Sequence, residues 1–257
     1  RFGGATSAVD RLVELAGAVQ GELMRLRAAH ATGIVEADVD RLGEVVDGFD
    51  DVRIIHGSTV ATNALLEWKG AKTGLITTRG FRDLLEIGRQ KRPALYDPFK
   101  QKPQVPVPRH LRLEVSERMG ADGKPLADLS ITDVAAAVDA LRSAGVISVA
   151  VCFVNSYKNP VHEQQAADLI RKLWPEAHVV TSYEVMPEFR EYERFVSTAI
   201  NASLIPITNT YFQRFSRAIA ELGITAPPKV MSSAGGVFSP ETAGQRPIDT
   251  LFSGPSG

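Results

Sequence analysis

The stretch HGSTVATNALLEWKG, residues 56–70, decides how the fold is interpreted. It follows the β-branched run VRII (residues 52–55), which is typical of a strand. A glycine and two hydroxyl residues then lead into a helical pattern whose apolar residues share one broad face. Two amphipathic helices, at residues 8–26 and 36–49, are predicted before it. The quoted stretch has two interpretations: a hydroxyl that only caps the helix, or a helix start that binds an anion.

Strand and helix patterns alternate after this stretch. Buried strands are predicted at TGLITT (73–78), VISVAVCFV (146–154) and HVVTS (178–182). Helices are predicted at SITDVAAAVDALRSAG (130–145) and NPVHEQQAADLIRKLW (159–174). The order strand, helix, strand favours parallel strands in an α/β fold.

Three local features are also predicted. Ser130 and Asp133 have the spacing of a capping box at the start of a helix. Pro206 is expected to kink or break a long helix that starts near Pro187. The sequence PIDTLFSGPSG (247–257) is expected to be a strand that enters a glycine-rich turn.

Composition excludes several classes of protein. The 257 residues carry a formal net charge of -1 and are 44% hydrophobic, which suits a globular protein of one or two domains. So small a charge gives no field that would attract nucleic acid or acidic lipid, and neither partner is expected. No apolar run approaches the roughly 20 residues of a membrane-spanning helix, and no signal peptide is visible, so a cytoplasmic location is expected. The single cysteine, Cys152, is expected to be a core side chain.

Common catalytic and nucleotide-binding motifs are missing from the sequence. It contains no Gly-x-x-x-x-Gly-Lys-Ser/Thr loop, no Gly-x-Gly-x-x-Gly fingerprint and no Gly-x-Ser-x-Gly elbow. It also contains no His-x-x-x-His pair, so zinc hydrolysis has no support. The chemistry must therefore be sought in less common patterns.

Three strands are predicted to end in small turns that contain glycine or hydroxyl residues. These turns are HGST (56–59), SSAGG (232–236) and SGPSG (253–257). Glycines let the backbone approach a ligand, and the first amides of a helix favour phosphate or an oxyanion. A plain N-cap at Ser58 or Thr59 is the alternative for the first turn. Three such turns together predict a ligand cleft, although they do not identify the ligand.

Charged residues cluster in two other stretches. In SYEVMPEFREYERF (182–195), Arg190 and Arg194 stand one helical turn apart and are candidates to clamp a carboxylate or phosphate. The alternative is a solvated helix end with ion pairs. The basic stretch after residue 78, which includes Arg79 and Arg89, either lines an anionic site or keeps a loop soluble.

Four blocks of the sequence together resemble one family. They span residues 56–97, 150–170, 182–206 and 230–257, and they include GRQKRPALYD, VNSYKNP, PEFREYERF and the SSAGG and SGPSG turns. In this order they resemble the N-terminal region of the hydantoinase A/5-oxoprolinase family, which includes ATP-dependent N-methylhydantoinases.

The resemblance implies a fold, a reaction and partners. The fold is α/β, a partial actin-like ATPase fold with mixed and parallel sheets flanked by helices. The implied domains are residues 1–185 and the start of a second domain at 186–257. The reaction is ATP-dependent hydrolysis of a cyclic amide of the hydantoin or 5-oxoproline type through phosphorylation of its oxygen. ATP and Mg²⁺ are the implied cofactors, and a hydantoinase B-like partner subunit and a homo-oligomer are expected.

The resemblance also implies roles for residues, with no metal ligand assigned. His56 is a candidate proton donor, and Glu191 and Arg194 are further catalytic candidates. The candidate substrate- or phosphate-binding residues are Gly57, Ser58, Thr59, Asn63, Arg79, Arg89, Arg190, Ser233, Gly235, Gly236, Ser253, Gly254 and Gly257.

The sequence departs from the family pattern in four ways. Members carry two Asp-x-Gly-Gly-Thr motifs for ATP phosphates, and neither is present, so we expect an incomplete chain that is inactive alone. Ala234 replaces a usual Asn, which removes an amide, and Ser58 replaces a usual Thr, which keeps the hydroxyl. Two alternatives stay open: a subunit of an ATP-dependent ketone carboxylase, and a non-catalytic scaffold domain without nucleotide binding.

Overall fold

The computed structural model describes residues 54–90, 96–97, 99–100, 104–221, 226–251 and 253. The helices predicted at 8–26 and 36–49 lie outside the described residues. The chain divides into two compact units, of which the first takes residues 1–56 and 213–229 and the second takes residues 57–212 and 230–257. The domain boundary expected near residue 185 stays a prediction.

The described residues form the following elements. The helices are α1 (Val60–Leu66), α2 (Leu84–Ile87), α3 (Ile131–Ser143), α4 (Val161–Leu173), α5 (Ser182–Val185), α6 (Glu191–Glu221) and α7 (Pro240–Gln245), with 3-10 turns at Arg109–Leu111 and Pro247–Thr250. The strands are β1 (Ile55–His56), β2 (Thr73–Thr78), β3 (Arg112–Val115), β4 (Arg118–Met119), β5 (Pro125–Ala127), β6 (Ser148–Cys152), β7 (His178–Thr181), β8 (Lys229–Met231) and β9 (Val237–Phe238).

A four-stranded parallel sheet organises the second unit. Its strand order is β3-β2-β6-β7, and every neighbouring pair is parallel. All residues of the central strands β2 and β6 are buried, as expected where both faces of a parallel sheet are covered. Because the strands run the same way, they all end at one edge, which we call the carboxyl edge. The predicted parallel βαβ arrangement is confirmed.

Antiparallel pairs make the architecture mixed, as expected. β4 pairs with β5, and the turn between them contains Gly123 at a φ of 81°. In a second hairpin, Val230 of β8 stands opposite Phe238 of β9.

One large apolar core lies between the parallel sheet and the helices. Leu75, Ile76 and Val151 of the sheet are completely buried. Helices α3, α4 and α6 add apolar side chains to the same cluster, namely Val134, Val138, Leu141, Ala166, Ile170, Phe195, Ala199 and Ile205. Cys152 is buried in this cluster too, which confirms its expected role as a core side chain.

The long helix differs from its prediction. Helix α6 starts at Glu191 rather than near Pro187. It is 31 residues long and contains Pro206 without interruption. Leu204 and Ile205, next to the proline, are almost fully buried, and such packing outweighs the unfavourable helix propensity of proline. The predicted break at Pro206 is therefore wrong.

Two further predictions need correction. The hydroxyl of Ser130 accepts a hydrogen bond from the amide of Asp133, but the Asp133 carboxylate binds Ser116 instead of closing the capping box. Residues 247–250, predicted as a strand, form a 3-10 turn that begins at Pro247 and follows the short helix α7. Proline favours the first position of a helical turn, which the strand prediction overlooked.

We predict that Gly74→Ala destabilises the second unit. A Cβ atom at Gly74 would stand 2.6 Å from Cδ2 of Leu141, so the substitution overpacks the contact between β2 and α3. The free energy of unfolding, measured by urea denaturation, should fall by about 1–3 kcal/mol. Leu141→Ala in the same chain makes room for the added methyl, so the double variant should lose less than the sum of the single losses. An unchanged stability of Gly74→Ala would contradict the contact.

Candidate functional site

Hydrogen bonds join the first and last of the three predicted turns. The Ser253 hydroxyl donates to the carbonyl oxygen of Ser58 at 3.1 Å and accepts from the Ser58 amide at 3.4 Å. Both serines are almost fully buried. The Ser58 hydroxyl accepts from the amide of Val60 at 3.3 Å. The side chains of Ser58 and Ser253 therefore serve mainly to hold the turns together.

The middle turn is tied to the chain that leads to Ser253. The Ser233 amide donates to the carbonyl oxygen of Asp249 at 2.8 Å, and its hydroxyl binds the carbonyl oxygens of Asp249 and Leu251. Leu251 also packs against the small apolar cluster that α1 forms with α6. The structure therefore brings the turns at Ser58, Ser233 and Ser253 together at the start of α1.

Other groups of these turns face outward. Gly57, Thr59 and Asn63 are exposed. Thr59 occupies the N-cap position of α1, but its hydroxyl makes no capping hydrogen bond. Its contact with Asn63 is long, at 3.5 Å from the side-chain nitrogen Nδ2. The structure thus contradicts the interpretation of Thr59 as a hydrogen-bonded cap and leaves its hydroxyl exposed at the helix start.

The glycines of the middle turn are also exposed. Gly235 and Gly236 have φ angles of 89° and 81°, which favour glycine, and an added Cβ atom on either would meet nothing within 4 Å. Ala234, which stands where the family has Asn, is exposed beside them. Gly254 and Gly257 lie outside the described residues.

A second group of polar residues lies at the carboxyl edge of the parallel sheet. Glu117, which follows β3, accepts a hydrogen bond from the hydroxyl of Thr78 at the end of β2. Its other carboxylate oxygen is 2.8 Å from Nδ1 of His162. All three side chains are buried. Ligands of open parallel sheets bind outside this edge, so a buried polar cluster here marks a second candidate region.

Three successive backbone amides leave β6 at this edge, and each is held by a side chain. The Phe153 amide donates to Glu163 at 2.7 Å, the Val154 amide to the hydroxyl of Thr78 at 3.0 Å, and the Asn155 amide to Glu191 at 3.4 Å. The exit of β6 is therefore fixed from three directions.

Arg194 and Arg190, predicted as a joint clamp, point to different surroundings. Arg194 is completely buried, and its guanidinium donates to Ser182, Glu188 and Phe153. Arg190 is exposed, has a φ of 80°, and lies with its guanidinium over the ring of Phe189. The two guanidinium groups do not form one clamp in this structure.

Glu191 lies between these two arginines at the start of α6. Its carboxylate is 3.6 Å from the Arg194 guanidinium, and 26% of its side chain remains exposed. Glu191 is thus the predicted catalytic residue that combines a buried cationic neighbour with access to solvent.

Arg79 and Arg89 form surface ion pairs. The Arg79 guanidinium is 3.1 Å from Asp133, and hydrogen bonds from Ser116 help to hold the pKa of the Asp133 carboxyl below its usual value. Arg89 pairs with Glu193, whose pKa is lowered by its own backbone amide and by Arg89. In the described part of the chain, no hydrogen bond joins either arginine to the three turns.

His56 belongs to the first unit. Its ring stacks on that of Phe215, with centroids 4.7 Å apart. Partial burial lowers the pKa of the imidazole, which favours the neutral form near pH 7. A role as an imidazolium proton donor is therefore disfavoured at neutral pH.

Glu163, which is not among the predicted site residues, is completely buried at the start of α4. Its carboxylate accepts from Ser182 and from the amides of Phe153 and Tyr183, while burial raises its pKa. The signal was present, because Glu163 shares a helical face with Ala166 and Ile170, three and seven residues later. An acid on an apolar face indicates a buried partner.

A cavity of about 390 Å³ lies at the opposite end of α1 from Ser58. Its lining includes Trp68, Lys72, His110 and Ser203. None of the predicted site residues lines it, so it is separate from the three turns and from the carboxyl edge.

The described residues contain neither a metal-binding cluster nor a membrane-spanning helix. No group of three or more His, Cys, Asp and Glu side chains there is placed to hold a metal ion. No helix among them is long and apolar enough to cross a membrane.

Comparisons with protein families follow the order of the sequence blocks. Residues 6–174 match the family model for the hydantoinase/oxoprolinase N-terminal region, and residues 194–257 match the model for hydantoinase/oxoprolinase. Caprolactamase subunit alpha from Pseudomonas jessenii is 37% identical over 204 residues, which are 79% of this chain and 29% of that protein. The 5-oxoprolinase PfmaA from Pestalotiopsis fici is 32% identical over 252 residues, which are 87% of this chain and 19% of that protein.

Two solved structures are also similar to this chain. The crystal structure of ATP-dependent caprolactamase from Pseudomonas jessenii aligns with a TM-score of 0.78 and 35% identity over 91% of this chain and 34% of that one. A nucleotide-free acetone carboxylase aligns with a TM-score of 0.75 and 23% identity over the same shares, which shows the fold alone. The chain thus spans about a third or less of the proteins it matches. With the helix-flanked parallel sheet, these likenesses confirm the predicted partial actin-like α/β fold.

We predict that His56→Phe removes part of the pH dependence of stability. Because burial lowers the folded-state pKa of His56, the unfolded state takes up its proton first as the pH falls below about 6.5. The wild-type chain should therefore lose stability as the pH falls below about 6.5, whereas the variant keeps the stacked ring without a titrating group. Thermal melts across this range measure the difference, and His178, whose pKa burial also lowers, should contribute equally to both proteins. Parallel pH profiles would contradict the assignment.

We predict that Ser253→Ala separates the first and last turns. Loss of the hydroxyl leaves the buried carbonyl of Ser58 without this partner, which should lower the free energy of unfolding by about 1–3 kcal/mol. Thr59→Ala is the matched control, because it removes an exposed hydroxyl from the same region and should change stability by less than about 0.5 kcal/mol. Chemical denaturation of both variants tests the difference, and equal losses would show that the Ser253 bridge has no special role.

Proposed function

The chain belongs to the hydantoinase/oxoprolinase family, and from this premise we propose that it forms part of an ATP-dependent enzyme that hydrolyses a cyclic amide. The overall reaction converts the cyclic amide, ATP and two water molecules into the ring-opened acid, ADP and phosphate. The C–N bond of a lactam is stabilised by resonance. ATP transfers its terminal phosphoryl group to the amide oxygen and departs as ADP. Water then attacks the activated carbon, and the ring C–N bond breaks as the nitrogen takes up a proton. A second water releases the oxygen-bound phosphoryl group as phosphate.

The observation that carries this proposal is the junction of the three turns through Ser58, Ser233 and Ser253. In the proposed site, the side chains of the three serines fix the backbone, and the exposed groups contact phosphate oxygens. The exposed candidates are Gly57, Thr59, Asn63, Gly235 and Gly236. A helix start and glycine-rich backbone suit an anion, which supports phosphate as the ligand.

We propose Glu191 separately, as the proton-exchanging residue of the second candidate region. Its partly exposed carboxylate stands at the carboxyl edge, the position where open parallel sheets bind ligands. Arg190, exposed beside it, would attract an anionic group of the substrate. Arg79 and Arg89, engaged with acidic partners, are weaker candidates for this role.

The described residues of the turns do not fit the Mg²⁺ site that the family resemblance implied. Mg²⁺ prefers carboxylate oxygens and water, whereas these turns offer hydroxyls and amides. The nearest carboxylate in sequence, that of Asp249, is 2.7 Å from Nε of Arg246. We therefore assign no step to a metal held by these residues.

Partner subunits are part of the proposal as well. The matched protein from Pseudomonas jessenii is named as a subunit, caprolactamase subunit alpha, which supports a separate partner chain of the hydantoinase B type and assembly into an oligomer. The two family models meet between residues 174 and 194, which supports a domain boundary near residue 185.

We predict lactam-dependent release of phosphate by the full-length protein with its partner subunit. N-methylhydantoin, 5-oxoproline, caprolactam and acetophenone should be tested in parallel, with ATP in excess. One cyclic amide should raise phosphate release at least tenfold above the rate without substrate, and the ring-opened product should form in equal amount. Phosphate colorimetry and mass spectrometry measure the two products.

These substrates, together with a calorimetric titration, separate the rival functions. Phosphate release with acetophenone and bicarbonate, but with no cyclic amide, would replace hydrolysis by ketone carboxylation. Absence of heat on titration with a non-hydrolysable ATP analogue would favour a scaffold without nucleotide binding. Either result would refute the proposed function.

A further inference from the structure

A buried acid and a buried base at the carboxyl edge are linked through one hydroxyl group. Glu163 and Arg194 are both completely buried. The Ser182 hydroxyl donates to Oε1 of Glu163 at 2.6 Å and accepts from Nε of Arg194 at 3.0 Å. A buried charge is costly unless it is hydrogen-bonded and paired. Glu163 and Arg194 are both hydrogen-bonded, but they are linked through Ser182 rather than directly, and the ion pair of Arg194 is with Glu191 at 3.6 Å.

The pair holds the first residue after β6 from both sides. Glu163 accepts from the Phe153 amide at 2.7 Å, and Nη2 of Arg194 donates to the Phe153 carbonyl oxygen at 2.8 Å. The contacts form a closed ring that passes through Glu163, Ser182, Arg194 and the backbone of Phe153. Residue 153 is therefore fixed relative to helices α4, α5 and α6 at once.

Arg194 also reaches the turn that precedes α6. Its Nη1 donates to the carbonyl oxygen of Glu188 at 2.9 Å. Arg190, which lies between Glu188 and the start of α6, has a φ of 80°. Residues other than glycine rarely adopt this backbone conformation, so neighbouring contacts must enforce it. Asn155, whose amide binds Glu191, is also left-handed, with a φ of 61°. Asparagine tolerates this conformation, so Arg190 is the residue near the Glu191 contact whose backbone is unfavourable.

We infer that Arg194 is a positioning residue: it ties the turn at Glu188–Glu191 to the exit of β6 and so presents the Glu191 carboxylate at the carboxyl edge. Because its side chain has no exposed surface, Arg194 acts through Glu191 and not by contact with a ligand. The functional part of this inference rests on the proposed role of Glu191.

Four variants of the full-length protein with its partner subunit test the inference: Arg194→Met, Glu163→Gln, the double variant, and Glu191→Gln. Arg194→Met and Glu163→Gln each leave a buried charge or its hydrogen-bond partners unsatisfied. Each of these two variants should therefore have a lower melting temperature than the wild type. The double variant removes both charges, so it should regain at least half of the melting temperature that Arg194→Met loses. Its kcat should nevertheless stay about 100-fold below wild type, as in Glu191→Gln, with a smaller change in KM.

Arg194→Lys provides a conservative comparison. Lysine keeps the positive charge, but its single nitrogen cannot reach Ser182, Glu188 and Phe153 in the planar arrangement of a guanidinium. We expect most of the stability to return and kcat to stay at least tenfold low. A lysine variant with wild-type kcat would show that only the charge matters.

Hydrogen exchange gives a readout that does not depend on catalysis. The peptide that contains Phe153, Val154 and Asn155 should exchange at least tenfold faster in the double variant than in the wild type, even where the melting temperatures agree. Recovery of both slow exchange and wild-type kcat in the double variant would reduce Arg194 to a stabilising role and overturn the inference. If the wild-type enzyme shows no lactam-dependent phosphate release, the proposed function fails, and the exchange rates alone decide whether Arg194 positions the turn.

Discussion

The exit of β6 is the constraint on which the rest of the carboxyl edge depends. A parallel strand ends there, its next backbone amides lie beyond the paired residues, and Phe153 and Val154 are buried away from water. The chain satisfies these amides with Glu163, Thr78 and Glu191, which belong to three different elements. Because the three partners converge on consecutive residues, a displacement of any one element would expose an unpaired buried group, and such groups cost free energy. The edge is therefore held in one arrangement.

The three turns near α1 divide structural and exposed positions in a regular way. The serine side chains at positions 58, 233 and 253 bind neighbouring backbone, whereas glycines and Thr59 face outward. Such a division suits a site for a phosphate group, since rigid support keeps donors in place before the ligand arrives. The sequence of these turns does not distinguish a hydroxyl that binds the backbone from one that is exposed, because both are serines or threonines next to glycine.

How far the sequence predicts the structure depends on whether the deciding contacts are local. The strand at residues 73–78 and the helix that starts after Ser130 follow from periodicity and capping, and both are confirmed. The continuity of α6 through Pro206 depends on tertiary packing, which no local rule contains. The separation of Arg190 from Arg194 likewise arises because the Ser182 hydroxyl and the carbonyl oxygens of Glu188 and Phe153 bind Arg194. For the candidate site, the sequence predicted the turns and Glu191 as positions of interest, whereas their hydrogen-bond partners required coordinates.

The bond between Ser58 and Ser253 has a consequence for biosynthesis. The two residues are 195 positions apart in the chain. At a translation rate of roughly 5–20 residues per second, the ribosome adds Ser253 about 10–40 s after Ser58. Until then, the first turn lacks its buried partner, so the backbone at Ser58 cannot reach its final hydrogen-bonded arrangement before Ser253 has been added.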